Sequence, residues 1–89
     1  MNLSSHHFIL TGASGGLGSA LARSLTKVGC RLTLIGRDRG RLHSLGRELD
    51  QAYLQLDINT EDAQLALVEY VVAQQQKIPV TGLINNAGV

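Results

Sequence analysis

The residues whose types and spacing could do chemistry here are glycines. Thr11-Gly12-Ala13-Ser14-Gly15-Gly16-Leu17-Gly18 follows the apolar run Phe8-Ile9-Leu10 and precedes a helical pattern carrying Leu21, Leu25 and Val28. Glycine backbone turns tightly and comes close to a bulky group because no Cβ blocks the approach. A helix that begins at such a turn aims its first free amides, and the positive end of its dipole, at the same place. The chemistry served is the holding of a pyrophosphate. Spacing separates three related motifs. A P-loop needs Gly-x-x-x-x-Gly-Lys-Ser/Thr, but the fifth residue after Gly12 is Leu17 and no Lys follows the turn. The common G-x-G-x-x-G fingerprint also fails, since a third glycine counted from Gly16 and Gly18 would fall on Leu21. The pattern present is T-G-x-x-x-G-x-G.

That pattern resembles the signature of the short-chain dehydrogenase/reductase family, and Asn85-Asn86-Ala87-Gly88, behind a second apolar run, resembles the family's next motif. The resemblance spans essentially all 89 residues. It implies an oxidoreductase that transfers hydride between a nicotinamide cofactor and a carbonyl or alcohol substrate. It also implies roles at matching positions: Gly12, Ser14, Gly15, Gly16, Leu17 and Gly18 at the cofactor's phosphates, Asp57 at the adenine amino group, Ile58 against the adenine ring, and Asn86, Ala87 and Gly88 along the adenosine ribose. The plain alternative for Asp57 is a loop or cap residue. The family's catalytic group is a Tyr-x-x-x-Lys pair with a Ser upstream. Tyr53 is followed four residues later by Asp57 and Tyr70 by Gln74, so no residue of this chain is assigned to catalysis. The resemblance does not select a substrate.

The choice between cofactors turns on residues 31–37. The run Arg31-Leu32-Thr33-Leu34-Ile35 reads as a second strand, about 20 residues beyond the glycine turn, where dinucleotide folds place the residue that inspects the adenosine ribose. An acidic side chain there accepts from a 2′-hydroxyl and repels a 2′-phosphate. This chain has Gly36 followed by Arg37, and a guanidinium pairs bidentately with phosphate and stacks on adenine, so NADP is favoured over NAD. Asp38 argues the other way, but it stands just before a helical pattern and reads as an N-cap. Arg41 is a candidate second phosphate contact, and Ser14 offers either a hydroxyl donor or an ordinary turn residue.

Composition excludes several other functions. The chain is 44% hydrophobic and 17% charged, with a single Pro, as in ordinary globular α/β proteins. A formal charge of +1 and three aromatics provide neither the basic face nor the stacking platform that nucleic acid requires. The polar N-terminus argues against a signal peptide or membrane span. Cys30 is alone, which fits a reducing cytoplasm and a buried structural thiol. His6 and His7 point to opposite faces of a strand and have no ligand partners nearby, which argues against a metal site.

The elements that must position these residues follow from periodicity. Strands are expected over residues 8–11, 31–35, 52–56 and 80–84, the first of them an unbroken apolar run suited to a parallel sheet covered on both faces. The first helix, about 17–28, is expected to bury Leu17, Leu21, Leu25 and Val28 and to stop at Gly29. The second follows Asp38 and buries Leu42, Leu45 and Leu49. The third is capped by Asn59-Thr60, with Glu61 and Asp62 in its first turn, Lys77 in its last, and Leu65, Val68, Val71 and Val72 apolar. Right-handed crossovers then give strand order 3-2-1-4, with two helices on one face and the third on the other. The fold class is α/β and Rossmann-like: residues 1–89 form the N-terminal half of a doubly wound parallel sheet, truncated after the fourth strand, with the ligand crevice above strands one and four. An uncovered fourth strand is a template for self-association. The expected function is an NADP(H)-binding segment of a short-chain reductase, the alternative being a non-catalytic dinucleotide-binding or self-associating module.

Overall fold

Each apolar run forms a strand, and each helix returns the chain to the same end of the sheet, so every pairing is parallel. The computed structural model describes residues 5–86. In chain order the elements are β1 (His7–Thr11), α1 (Gly16–Lys27), β2 (Arg31–Gly36), α2 (Arg39–Leu49), β3 (Ala52–Gln55), α3 (Glu61–Gln74) and β4 (Gly82–Asn85). The strand order is β3-β2-β1-β4, the order that right-handed crossovers require.

Strand alternation divides the side chains between two faces. Phe8 and Leu10, with their register partners Leu32 and Leu34 and with Ile84, face α1 and α2 and pack with Leu42 and Leu45. Leu10, Leu32, Leu34 and Leu42 are wholly buried; each is worth about 1.5–3 kcal/mol relative to exposure. On the other face the Tyr70 hydroxyl of α3 lies 2.9 Å from Thr33 Oγ1, which sets α3 opposite the first two helices.

The buried stripe of α1 differs from the one that hydropathy picks out. Leu17 is 60% exposed and Val28 54% exposed, whereas Gly18 and Ala22 are buried and Leu21 and Leu25 are half-buried. The reason is distance: small residues let the helix axis come close to the sheet, and this rotates the larger side chains of the stripe towards its margins. Gly29, at φ 95°, ends the helix in the left-handed region. Capping of α2 by Asp38 and of α3 by Thr60 is as expected from sequence. Lys77 does not belong to the last turn of α3, which ends at Gln74. The Gln75 amide is shared between the carbonyls of Val71 and Val72, a tightened end after which the chain leaves the helical path. Leu65, Val68 and Val72 of α3 are exposed and only Ala63 is buried.

Two buried polar side chains join these layers. With its ring neutral, His7 donates from Nδ1 to the Ile78 carbonyl at 2.7 Å, because a carbonyl can only accept. Its Nε2 then accepts from Thr33 Oγ1 at 2.8 Å, leaving Thr33 to accept from Tyr70. Gln51, just past α2, receives the Leu32 amide at 3.0 Å on Oε1 and donates from Nε2 to the Cys30 carbonyl at 2.9 Å. This ties the α2–β3 junction to the start of β2.

Candidate functional site

The candidate site lies at the C-terminal ends of all four strands. Gly12 leaves β1 at φ 66°, a conformation that L side chains rarely adopt. The next amide, Ala13 N, donates to the Ile35 carbonyl at 2.9 Å and fastens the turn to the end of β2. An ideal Cβ on Gly18 would stand 1.9 Å from the Gly12 carbonyl oxygen, so α1 seats directly on the turn only because this residue has none. Gly15 is the N-cap of α1 in extended conformation, with no side-chain capping bond and no acidic residue in the first turn. The other two helices differ: Asp38 caps α2, and Thr60, Glu61 and Asp62 crowd the start of α3. The first amides and positive dipole end of α1 therefore face the turn with no carboxylate in the cap or first turn of the helix to neutralise them.

A cavity of about 270 Å³ opens above this turn. Gly12, Ser14 and Gly15 of the turn line it, with Gly36 and Arg37 at the end of β2, Asp57 and Ile58 after β3, and Asn86 after β4. Gly16 lines a neighbouring cavity between α1 and α2. Leu17 and Gly18 line neither, and Ala87 and Gly88 lie outside the described residues. Ile35, Leu56 and Asn59 also line the first cavity, although the sequence pointed to Ile35 and Leu56 only as strand residues and to Asn59 only as part of a helix cap. Leu56 and Asn59 immediately flank Asp57-Ile58, and that adjacency is the signal that could have found them.

The polar groups of the cavity are held in place. Ser14 Oγ stands only 2.7 Å from where a Cβ of Gly36 would be, so the hydroxyl fills the space from which a longer side chain would start. Arg37 is exposed, and its carbonyl accepts from Gln55 Nε2 at 3.2 Å. Asp38 accepts the Arg41 amide at 3.1 Å, as an N-cap does. Asp57 Oδ1 accepts the Asn59 amide at 3.1 Å, so this carboxylate also builds the turn that leads to α3. Thr11 Oγ1 donates to Asn85 Oδ1 at 2.9 Å and accepts the Asn86 amide at 3.0 Å, while Asn86 Nδ2 donates to the Gly12 carbonyl at 3.3 Å. The Asn pair thus sews β4 to the glycine turn. Across the neighbouring cavity Arg23 donates to Glu48 at 2.8 and 3.1 Å. That hydrogen bond, with the attraction between the charges, raises the Arg23 pKa and holds the Glu48 carboxyl below its ordinary range.

A family model described as "short chain dehydrogenase" matches residues 6–89. The chain belongs to that family. It is 34% identical over 89 residues to the 3-oxoacyl-(acyl-carrier-protein) reductase of Rickettsia bellii, covering 100% of this chain and 35% of that protein. Among solved structures, L-sorbose reductase from Gluconobacter frateurii, described as complexed with NADPH and L-sorbose, superimposes with a TM-score of 0.83 at 31% identity, over 100% of this chain and 36% of that one. NAD+-bound xylitol dehydrogenase superimposes with a TM-score of 0.80 at 28% identity, over 100% of this chain and 35% of that one. This short-chain dehydrogenase chain thus spans about a third of the length of these relatives. No helix among its described residues is long and apolar enough to cross a membrane.

Proposed function

We propose that residues 1–89 are the NADP(H)-binding part of a short-chain reductase whose whole protein transfers hydride between NADPH and a carbonyl or alcohol substrate. The observation that carries the reading is the end of β2. Gly36 offers no carboxylate to a ribose 2′-hydroxyl, Ser14 Oγ occupies the space where such a side chain would begin, and Arg37 follows, exposed, on the wall of the same cavity. A guanidinium attracts a 2′-phosphate and pairs with it bidentately, whereas an acidic residue would repel it. Similar structures are described with NADPH in one case and NAD+ in another, so the preference rests on this chain's own Gly36 and Arg37.

The fit of a dinucleotide is supported by backbone. Gly16, Leu17 and Gly18 present the first amides of a helix with no side-chain cap, Gly12 and Gly15 form the turn before it, where the Gly15 amide donates to the Gly12 carbonyl, and a Cβ on Gly16 would meet nothing within 4 Å, so packing alone does not call for glycine there. Ser14 supplies a hydroxyl, Asp57 an acceptor for the adenine amino group, Ile58 an apolar face, and Asn86 with Ala87 and Gly88 the side of the ribose. When bound, the cofactor supplies the hydride; these residues hold and orient its adenosine half. The Tyr53 hydroxyl is engaged with His43 and the Tyr70 hydroxyl with Thr33, and we assign neither to catalysis. The lone buried Cys30 fits a cytoplasmic location.

A second reading, a module that self-associates, is favoured by the exposed Leu83 on β4 beside the exposed apolar side chains of α3. Gel filtration separates the two, since a monodisperse monomer counts against it. The first reading is tested by titrating the chain with NADPH and NADH: NADPH binds more tightly, and Arg37→Glu abolishes or reverses the difference. Equal affinity of the unaltered chain for both would overturn the Arg37 argument.

A further inference from the structure

The larger cavity, about 450 Å³, runs from the glycine turn down between α1 and α2. Holding a pyrophosphate at the turn does not account for its outer wall. Ser14 and Gly15 belong to both cavities, so the two meet at these residues. Beyond that point the wall carries Ser44 and two arginines, Arg23 and Arg41. The two differ in availability. Arg23 is held by both oxygens of Glu48, at 2.8 and 3.1 Å. Arg41, in the first turn of α2, has a single weak contact, Nε to Asp38 Oδ2 at 3.5 Å, with side chains 74% and 54% exposed.

Asp38 itself is a second clue. Its helix-capping work is done by Oδ1, which accepts the Arg41 amide. Asn supplies the same capping bond as Asp, so the cap itself does not require a negative charge at this position. The charge instead falls between Arg37 and Arg41 in sequence, with Oδ2 3.5 Å from Arg41 Nε.

We infer that Arg41 is a second specificity-determining guanidinium for the adenosine 2′-phosphate, approaching from the α1–α2 cavity across Ser14 from Arg37, and that Asp38 tempers the NADP preference by competing for it. The inference rests on the cofactor reading above. A phosphate monoester carries a charge of roughly −1.5 to −2 and three acceptor oxygens, so it draws Arg41 away from one exposed carboxylate contact. Arg37 and Arg41 then grip opposite sides of the phosphate, with Ser14 Oγ between them.

The test is calorimetric titration of the full chain with adenosine 2′,5′-bisphosphate and with 5′-AMP, which differ only in the 2′-phosphate. Arg41→Gln is expected to weaken the bisphosphate about two- to fivefold, the scale of an exposed ion pair, while leaving 5′-AMP unchanged. Arg41→Lys keeps the charge and restores most of the loss at low salt. Asp38→Asn keeps the cap, preserves far-UV circular dichroism, and tightens the bisphosphate by a similar factor; that gain disappears in the double variant with Arg41→Gln. If Arg37→Gln erases discrimination while Arg41→Gln and Asp38→Asn leave it intact, the inference fails and the cofactor reading stands. If the unaltered chain binds both probes equally, the 2′-phosphate site fails, and if it binds neither, the cradle itself fails; each outcome overturns the inference.

Discussion

Gly16 and Gly18 lie two positions apart in the first turn of α1, yet substitution at each should have a different effect. At Gly18 an added methyl would stand 1.9 Å from the Gly12 oxygen, 2.8 Å from the Gly12 carbonyl carbon and 2.9 Å from Ala13 Cα. All three are backbone atoms, so no side-chain rotation relieves the clash. To bring the shortest contact to 3.0 Å, α1 must retreat by more than 1 Å (3.0 − 1.9), loosening Ala22, Leu21 and Leu25 from Leu10 and Leu34. Overpacking of this kind costs about 1–3 kcal/mol, and a contact with immovable backbone belongs at the upper end. At roughly 0.05–0.15 kcal/mol per residue, 89 residues amount to a total stability of about 4–13 kcal/mol. Gly18→Ala is therefore expected to lower Tm by roughly 10–20 °C and to shift the urea midpoint measurably. At Gly16 the same methyl meets no atom within 4 Å, and φ is not positive, so Gly16→Ala keeps or slightly raises stability. If the open space over Gly16 is a seat for pyrophosphate, that methyl lowers NADPH affinity by about tenfold or more. Circular dichroism during urea titration measures the first effect and NADPH fluorescence the second. A Gly18→Ala midpoint equal to wild type would refute the packing argument, and full NADPH affinity in Gly16→Ala would refute the cradle.

Two further outcomes follow from other contacts. His7→Ala leaves the Ile78 carbonyl and the Thr33 hydroxyl without their ring partner and opens a void, and should cost roughly 2–4 kcal/mol in urea unfolding; a loss under about 1 kcal/mol would show the relay to be incidental. For Glu48, Arg23 depresses the folded-state pKa of the carboxyl, so the pair's contribution is present above its ordinary value of 4.5 and fades as pH falls through the depressed value. Both side chains are about half exposed, so Glu48→Gln changes Tm only slightly at neutral pH, and the difference from wild type narrows on acidification; a difference that widened would have the wrong sign.

The glycine turn, the helix caps and the strand order were legible because each follows from local chemistry plus one chirality rule: Gly12 and Gly18 announce a close approach, Asp38 and Thr60 announce helix starts, and right-handed crossovers leave one arrangement. The buried face of α1 was not legible by the same route. Hydropathy selects the largest apolar residues, whereas proximity to the sheet selects the smallest, and Gly18 and Ala22 take the positions that Leu17 and Val28 were expected to share. In α3 the apolar positions run around most of the helix, so no single stripe identifies the side that Ala63 and Tyr70 turn to the sheet. The roles of His7 and Gln51 were hidden for another reason. Each is a lone polar residue whose partners come from other elements, and no spacing along the chain advertises such a contact. At the site, Gly36 and Arg37 could be read from their distance beyond the turn; the coincidence of Ser14 Oγ with the missing Cβ of Gly36 could not, because it joins residues 22 positions apart (36 − 14).

The stitching of β4 to the glycine turn also bears on folding, through the length of chain it must close. Within the sheet, β2 pairs with β1 at a separation of 24 positions (His7 with Arg31) and β3 with β2 at 19 (Thr33 with Ala52), whereas β4 pairs with β1 at 74 (Phe8 with Gly82). Closing the longer loop costs more chain entropy, and β4 is also the last of the four strands to be synthesised. A nascent chain emerged as far as Ile58 contains the residues of three of the four walls: the turn, the end of β2 and the start of the loop after β3. Only when Asn86 reaches Thr11 and Gly12 does the fourth wall close. A nucleotide that binds the closed cavity then stabilises the pairing that β4 completes, so ligand binding and the most distant strand contact are linked.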